Sequence, residues 1–234
     1  MTTPRTSTLN RTREPLLLLL TLGAASTDAL SYLGLGRVFP ANMTGNTVLL
    51  AIGTASGKYD ESIRSAIALG GFVLGAVLGG LATGGHSVQR WTPAMRLVLA
   101  AELAVQLAVL GWWLTLPDKP SGAPRLALIG MLGVTMGAQS GVVARLPVGV
   151  STTYITGTWT AVSTWAAGLL RPGRGPEPDQ QAGLQAAVLG CYLVGAFGAG
   201  FLFTYAGAVV AAIPAGAVAL VSLALCRPRL RFVA

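Results

Sequence analysis

Charged side chains are scarce in this sequence, and their scarcity argues against a water-soluble globular protein. Asp, Glu, Lys and Arg together make up 10% of the 234 residues, whereas soluble domains carry roughly 25%. Hydrophobic residues reach 53%, and the mean hydropathy is +0.64. The chain therefore needs an apolar solvent, and we predict an integral membrane protein whose main partner is the lipid bilayer.

Histidine and cysteine are almost absent, which argues against a metal centre or a disulfide framework. The single histidine, His86, lies in a polar connection, and Cys191 and Cys226 lie in apolar stretches. This pattern lacks the spacing of metal ligands. A Ser-His-Asp set and a glycine-rich phosphate loop with its lysine are also missing. We therefore predict no metal, no cofactor and no enzymatic activity.

Acidic residues are outnumbered by basic ones, which gives a formal net charge of +8. In a soluble protein this charge would suggest a nucleic-acid partner. Here the basic residues lie at the ends of apolar stretches, where membrane proteins place the charges that set topology. No basic helix face interleaved with aromatic residues is present, so we predict no nucleic-acid partner.

Apolar stretches fill most of the chain. Most have about the 20 residues that a helix needs to cross roughly 30 Å of hydrocarbon, and lipid cannot pair the free backbone groups of any other conformation. Eight can be marked, at residues 15–36, 38–56, 63–85, 93–116, 124–144, 148–170, 184–205 and 207–226. They predict an all-α polytopic transmembrane bundle, with a cytoplasmic N-terminal tail at 1–14.

Short sequence matches recur in the same order in two parts of the chain. Gly23-Ala24 matches Gly137-Ala138, Thr44-Gly45 matches Thr156-Gly157, and Gly75-Ala76 matches Gly195-Ala196. We therefore predict a single transmembrane domain, 1–234, made of two related halves at 15–116 and 124–226. Because the first stretch has a counterpart, we do not expect it to be a cleaved signal peptide, although basic residues precede it.

Two membrane topologies fit the charges. With eight crossings and a cytoplasmic N-terminus, 12 of the 16 basic residues lie inside, in agreement with the positive-inside rule. If 38–56 and 148–170 are re-entrant or broken, six crossings remain and 11 basic residues lie inside. Eight crossings give two parallel halves, whereas six give two inverted halves. We favour eight, because both stretches are long enough to span.

A polar motif interrupts the second apolar stretch and recurs in the sixth. Its candidate substrate-binding residues are Asn42, Thr44, Gly45 and Asn46, and Thr156, Gly157 and Thr158 in the second half. If a helix begins or breaks at such a motif, its free N–H groups favour an anionic ligand. Paired interruptions at corresponding positions are typical of transporter sites. The alternative is that these polar groups only join helices through hydrogen bonds.

Two carboxylates lie inside apolar stretches, and we predict that they bind a coupling proton or cation. Asp28 is in the first stretch, and Glu102 is in the fourth, one helical turn before Gln106. A charge at the bilayer centre costs roughly 2.5–3.5 kcal/mol on insertion scales, so each should face the bundle interior or water. The alternatives are structural: an ion pair of Asp28 with Arg37 or a hydrogen bond to a hydroxyl, and a helix–helix hydrogen bond for Glu102.

Small and aromatic residues suggest how the helices pack. We predict that glycine stripes in the third and seventh stretches let helices approach closely. These stripes are Gly71, Gly75 and Gly79, and Gly190, Gly195, Gly198 and Gly200. Trp112 and Trp113, near the end of a stretch, are predicted to anchor the protein at the membrane interface.

The run Gly34–Thr47, with Asp28 shortly before it, resembles the YoaK family of bacterial integral membrane proteins, a domain of unknown function. Asp28 and Met43-Thr44-Gly45-Asn46 carry the resemblance, and length and hydropathy fit over residues 14–226. The resemblance implies a multi-pass protein of the bacterial inner membrane, and the family is commonly labelled as permease-like.

Together these features predict a transporter or permease for a small polar or anionic solute, coupled to protons or cations. One alternative is a non-transporting scaffold or partner subunit that uses its glycine faces to bind another membrane protein. A channel is a third interpretation. The same glycine faces are compatible with a homo-oligomer.

Overall fold

The computed structural model describes residues 5–84, 91–146, 152–153, 155–169 and 180–226, and within these ranges all regular structure is helical. The helices are α1 (Arg5–Gly34), α2 (Met43–Ala55), α3 (Tyr59–Thr83), α4 (Pro93–Trp113), α5 (Gly122–Val143), α6 (Ile155–Leu169), α7 (Gln180–Ala206) and α8 (Ala212–Cys226). A 3-10 segment at Gly207–Ala211 joins α7 to α8. The predicted all-α bundle is confirmed, and α1 begins inside the predicted tail.

Long apolar helices make up most of the molecule. The segment Glu14–Gly34 and helices α3, α4 and α5 are long and apolar enough to cross a membrane, and so is the 46-residue segment Gln181–Cys226. Large apolar side chains such as Leu81 and Phe197 are three-quarters exposed on α3 and α7. An apolar exposed surface of this kind suits contact with lipid.

Helices α2 and α6 are shorter, and they do not support the expected eight crossings. They contain 13 and 15 residues, or about 20 and 22 Å of helix, against roughly 30 Å of hydrocarbon. Hydropathy alone suggested longer spans because it also counted the apolar residues that precede each helix. The length argument for eight crossings is therefore wrong.

Contacts between the segments before and after α2 also contradict a crossing by this helix. Arg64, near the start of α3, donates from Nε to the carbonyl oxygen of Gly36 just after α1, at 3.0 Å. Asp60 binds Arg64 and also Arg125 at the start of α5, the latter at 3.2 Å. The end of α1 and the starts of α3 and α5 therefore lie at one end of the bundle, here called the distal end.

The opposite end, here called the N-terminal end, has its own apolar core. A buried cluster there joins the starts of α1 and α4 to the ends of α5 and α8, through residues such as Leu17, Met95, Val142 and Val221. Helix α1 therefore runs toward the distal end and α5 runs back. A second cluster fills the distal end and includes Leu35, Trp113, Leu128 and Phe203.

Trp113 belongs to this distal core and is not an interfacial anchor. Its side chain is 1% exposed, its ring centroid lies 6.4 Å from that of Phe203, and its indole N–H donates to the Asp118 carbonyl at 3.2 Å. A Cβ on Gly34 would collide with the indole ring. The neighbouring Trp112 is 38% exposed, so only that residue is positioned to meet the interface.

Helices α3 and α5 pack backbone against backbone through glycine, as predicted. A Cβ on Gly71 would lie 2.8 Å from the Gly130 carbonyl oxygen, and one on Gly79 would lie 2.6 Å from that of Ala138. The contact positions increase together along both helices, so the two run parallel. Gly75 lies between them, against Val134.

Helices α1 and α7 also run parallel, and their backbones approach closely at Gly195. A Cβ on Gly195 would lie 2.7 Å from the Leu22 carbonyl oxygen, and the Ser26 hydroxyl donates to the Gly195 carbonyl at 3.3 Å. A Cβ added to Gly190 or to Gly198 would have no neighbouring atom within 4 Å. The second predicted stripe therefore packs closely only at Gly195.

We expect Gly75→Ala to destabilise the protein, because its new methyl group would lie 2.8 Å from the Val134 carbonyl carbon. Backbone on both sides cannot yield without separating the helices, and overpacking of this kind costs about 1–3 kcal/mol. Thermal unfolding in detergent measures the effect. The matched control is Gly70→Ala on the same helix, where a Cβ has open space. Equal unfolding midpoints for the two variants would contradict the close packing.

Candidate functional site

The chain reverses sharply after α1 and re-enters the bundle. Gly36 and Arg37 both have left-handed backbone conformations, with φ of 93° and 65°. Such a value is uncommon for a residue with a side chain, and here the Arg64 hydrogen bond to Gly36 holds the turn. The buried residues Leu35, Val38 and Ala41 then lead inward to the start of α2.

The carboxylate of Asp28 receives this returning segment. Its Oδ1 accepts the N–H of Ala41 at 2.7 Å, and its Oδ2 accepts the hydroxyl of Tyr192 on α7 at 2.7 Å. The N–H of Asn42 also points to it. Asp28 is 3% exposed, so three structural elements meet at one buried carboxylate: α1, the start of α2, and α7.

The considered ion pair between Asp28 and Arg37 is not formed. Arg37 is exposed, and the ion pairs found within the described ranges all involve Asp60. Asp28 instead binds neutral donors, two of them backbone N–H groups just before α2. Free N–H groups and the helix dipole favour negative charge at a helix N-terminus. Asp28 therefore occupies the place that the sequence assigned to an anionic ligand.

The asparagines of the motif shape the same segment. Asn46 is fully buried, and its amide group donates to the Phe39 carbonyl at 2.6 Å and accepts the Phe39 N–H at 3.0 Å. Asn42 caps α2 by accepting the Gly45 N–H at 3.2 Å. Thr44, in contrast, is exposed. In this conformation Asn46 has a structural role, and Thr44 and the partly buried Asn42 remain accessible candidates.

The second half has a similar anchor, but it is uncharged. Gln139 on α5 donates from Nε2 to the Thr152 hydroxyl at 3.2 Å and to the Leu20 carbonyl at 3.4 Å. The pair Gln139 and Thr152 is separated by 13 residues, as are Asp28 and Ala41. Each long helix therefore binds the segment that precedes the next short helix, through a carboxylate in one half and an amide in the other.

The predicted residues of the two motifs do not meet. Helix α2 packs on α3 and α6 packs on α7, and within the described residues no comparable packing joins the two short helices. In α6, Thr158 is buried, Thr156 is exposed and Gly157 is half-buried. Between the anchors, Ala24, Ala41 and Met136 form a buried apolar cluster. Among the described residues, apolar side chains thus fill the space between the two anchors.

Glu102 is separate from Asp28, so the two predicted coupling residues do not form one site. It lies on α4, 2% exposed, and its Oε1 accepts the Gln106 amide N–H at 3.0 Å. The other oxygen of Glu102 and the amide oxygen of Gln106 have no hydrogen-bond partner. This hydrogen bond lies within one helix, so it does not join helices as the structural alternative required.

Sequence reasoning assigned no role to Tyr192 or to Gln139. A usable signal existed for the tyrosine, because a hydroxyl in the middle of an apolar helix needs a hydrogen-bond partner, and the buried acceptors available to it are few. Gln139 had the same signal, as an amide inside an apolar stretch. What the sequence could not supply was the pairing of these side chains with distant segments.

Comparisons with known proteins give the chain a family. The model of a family described as "Protein of unknown function (DUF1275)" matches residues 16–224. The UPF0700 transmembrane protein YoaK of Bacillus subtilis (strain 168) is 34% identical over 147 residues. That alignment covers 62% of this chain and 64% of the relative. No solved structure matches. The resemblance to the YoaK family is thus confirmed, and so is a multi-pass membrane protein.

We expect Asp28 and Tyr192 to be energetically coupled. A hydrogen bond to a charged group contributes roughly 1.5–3 kcal/mol, and the double-mutant cycle of Asp28→Asn and Tyr192→Phe should recover a coupling energy of that size. Unfolding in detergent supplies the four free energies. Tyr205→Phe, on the exposed end of the same helix, is the control and should be additive with Asp28→Asn. Additivity of the Tyr192 pair would exclude the contact.

Proposed function

The chain belongs to the DUF1275 family of proteins of unknown function, and from its architecture we propose that it is a carrier for a small polar solute. The observation that supports this most directly is the pair of short helices. Each begins beside a polar anchor inside the bundle, at Asp28 or at Gln139. Interrupted segments at corresponding positions of two halves are typical of secondary transporters.

The proposed architecture is an inverted repeat with six crossings. In it, α1, α3 and α4 cross in the first half, α5, α7 and α8 cross in the second, and α2 and α6 are re-entrant. Three crossings reverse the direction of the second half. The opposite directions of α1 and α5, whose starts lie at opposite ends of the bundle, support this arrangement.

The glycine contacts support the same symmetry. Gly75 and Gly195 are matched residues of the two halves, on α3 and α7. Gly75 lies against Val134 of α5, and Gly195 lies against Leu22 of α1. Val134 and Leu22 are 112 positions apart, the same separation as the matched Thr44 and Thr156. Helix α3 of the first half thus packs on α5 of the second, and α7 of the second half packs on α1 of the first.

The orientation follows from the basic residues. With six crossings, 11 of the 16 basic residues fall on the N-terminal side, and the positive-inside rule makes that side cytoplasmic. We place the protein in the bacterial inner membrane on the same reasoning, since the family resemblance and the all-helical spans both suit that bilayer. The lipid bilayer is its proposed partner.

In the proposed carrier, solute enters where the short helices begin. Asn42 just before α2, Thr44 on α2 and Thr156 on α6 offer amide and hydroxyl groups that are not fully buried. Gly157 would let a solute approach the backbone, whereas the space beside Gly45 is filled by the Phe39 ring. A neutral polar solute suits the first half better than an anion, because the Asp28 carboxylate would repel a second negative charge. Asp28 and Glu102 are the two candidates for a coupling proton or cation.

Other functions receive less support. A scaffold would need a partner, and the exposed Gly190 and the half-buried Gly198 on α7 are the surface that such a partner, or a second copy of the chain, would use. A channel has no observation of its own in favour, since Ala24, Ala41 and Met136 fill the space between the two anchors. We do not propose an enzyme.

The carrier proposal predicts a specific, saturable solute. Purified protein is screened by thermal unfolding against neutral polar metabolites, and a ligand at 100 times its Kd should stabilise the fold by about 2.7 kcal/mol. Uptake into proteoliposomes should then saturate. Thr44→Val and Thr156→Val should each weaken binding about 2- to 10-fold, the effect of one neutral hydrogen bond.

The control is Thr164→Val, because this exposed hydroxyl on α6 bonds only to its own helix and should leave uptake unchanged. Flux that rises linearly with solute concentration would favour a channel over a carrier. A protein that binds none of the solutes and co-purifies with a stable partner would support the scaffold and contradict the carrier.

A further inference from the structure

Glu102 and Gln106 form a deeply buried polar pair that makes no hydrogen bond to another helix in the described part of the chain. Both side chains are 2% exposed, and they bond to each other at 3.0 Å within α4. One oxygen of each has no partner. Asp28, in contrast, has both oxygens bonded to other segments. A buried acceptor left unpaired is costly, so the free oxygens need an explanation.

Among the residues that the structure describes, no basic side chain forms an ion pair with Glu102. Helix α4 packs against α3, α5, α8 and the 3-10 segment. Their sequences contain no titratable residue between Ser65 and Thr83, between Leu126 and Val143, or between Gly207 and Leu225. The titratable groups on these helices, such as Arg64 and Arg125, lie toward the helix ends. On α4 itself the other titratable group is Arg96, and on α1 the nearest is Asp28, which faces α7.

An ionised Glu102 would therefore be a buried, unpaired charge. Such a group costs several kcal/mol even after relaxation of the surrounding protein, and proteins normally neutralise it by protonation. A bound metal cation would need more oxygen ligands than this pair supplies. The neighbouring cavity, lined by Thr27, Gln106 and Pro214 among others, has a volume of about 10 Å³, room for at most about one water. A proton is the ligand that fits.

We propose that Glu102, with Gln106 as its hydrogen-bond partner, is the proton-binding site of this membrane domain. The carboxyl group holds a proton while the bundle is closed around it. When water reaches α4, the proton passes from the carboxyl oxygen to that water, and the carboxylate that remains accepts the Gln106 N–H. The release step rests on the proposed carrier function, whereas the bound proton does not.

Gln106 suits this role because its amide group can serve both forms of Glu102. Its NH₂ group donates to a carboxylate, and its oxygen accepts from a carboxyl O–H after rotation of the amide. Asp28 is assigned the other role by its contacts. Two backbone N–H groups and a tyrosine hydroxyl donate to it, so both of its oxygens are bound to other segments of the fold. Asp28 thus holds the fold together, and Glu102 carries the proton.

Infrared spectroscopy of the purified protein in lipid at neutral pH tests the bound proton without any solute. With ¹³C-carboxyl-labelled glutamate, the wild type should show the C=O band of one neutral glutamic acid. Glu102→Gln should remove that band, and Asp28→Asn should retain it. Gln106→Leu should keep the band and move it to higher frequency, because a hydrogen bond is lost. The Gln106 variant identifies the band even if Glu102→Gln does not fold.

Two results would overturn the assignment: a wild type without a neutral glutamic acid band, or a band that persists in Glu102→Gln. If sodium stabilises the wild type and does not stabilise Glu102→Gln, the ligand of Glu102 is a metal cation and not a proton. Once a solute is known, wild-type uptake should respond to a pH gradient and uptake by Glu102→Gln should not. If only the uptake experiment fails, Glu102 does not couple transport to protons, and the infrared evidence for its bound proton still stands.

Discussion

The buried carboxylate of Asp28 is the interaction on which the arrangement of the first half depends. A chain that re-enters an apolar bundle brings unpaired backbone N–H groups with it, and lipid offers them no partner. Asp28 supplies that partner for Ala41 and Asn42, and it joins them to α7 through Tyr192. The reversal at Gly36, the cap at Asn42 and the amide pairing of Asn46 with Phe39 then set where α2 begins.

In the second half, a neutral amide binds the segment before the short helix, where the first half uses a carboxyl group. Gln139 binds the segment before α6 through a neutral hydrogen bond to Thr152 and also reaches the backbone of α1 at Leu20. Leu20 and Asp28 are eight residues apart, or about 12 Å along the helix, so the two anchors lie on either side of the middle of the apolar segment Glu14–Gly34. One short helix therefore starts beside a carboxyl group and the other beside an amide.

The sequence predicted the long helices, but it did not predict which helices and side chains contact each other. Apolar stretches and their polar connections predicted the long helices, because a span in lipid must be helical and apolar. Hydropathy did not separate α2 from a full span, since Val38 and Ala41 are as apolar in a buried returning loop as in a helix. The prediction of Trp113 at the interface was wrong, because Gly34 and Phe203, which build its pocket, lie far away in sequence. The contacts of Tyr192 and Arg64 were hidden for the same reason.

Cysteine accessibility in intact cells tests the inverted repeat most directly. In a background without Cys191 and Cys226, single cysteines replace the exposed residues Lys119 and Gln181 and are treated with a membrane-impermeant maleimide before and after the membrane is opened. Six crossings place the two positions on opposite sides, so one cysteine reacts in intact cells and the other reacts only afterwards. With a cytoplasmic N-terminus the reactive one is Lys119→Cys. Equal protection or equal labelling of both positions would place them on one side and contradict the re-entrant helices.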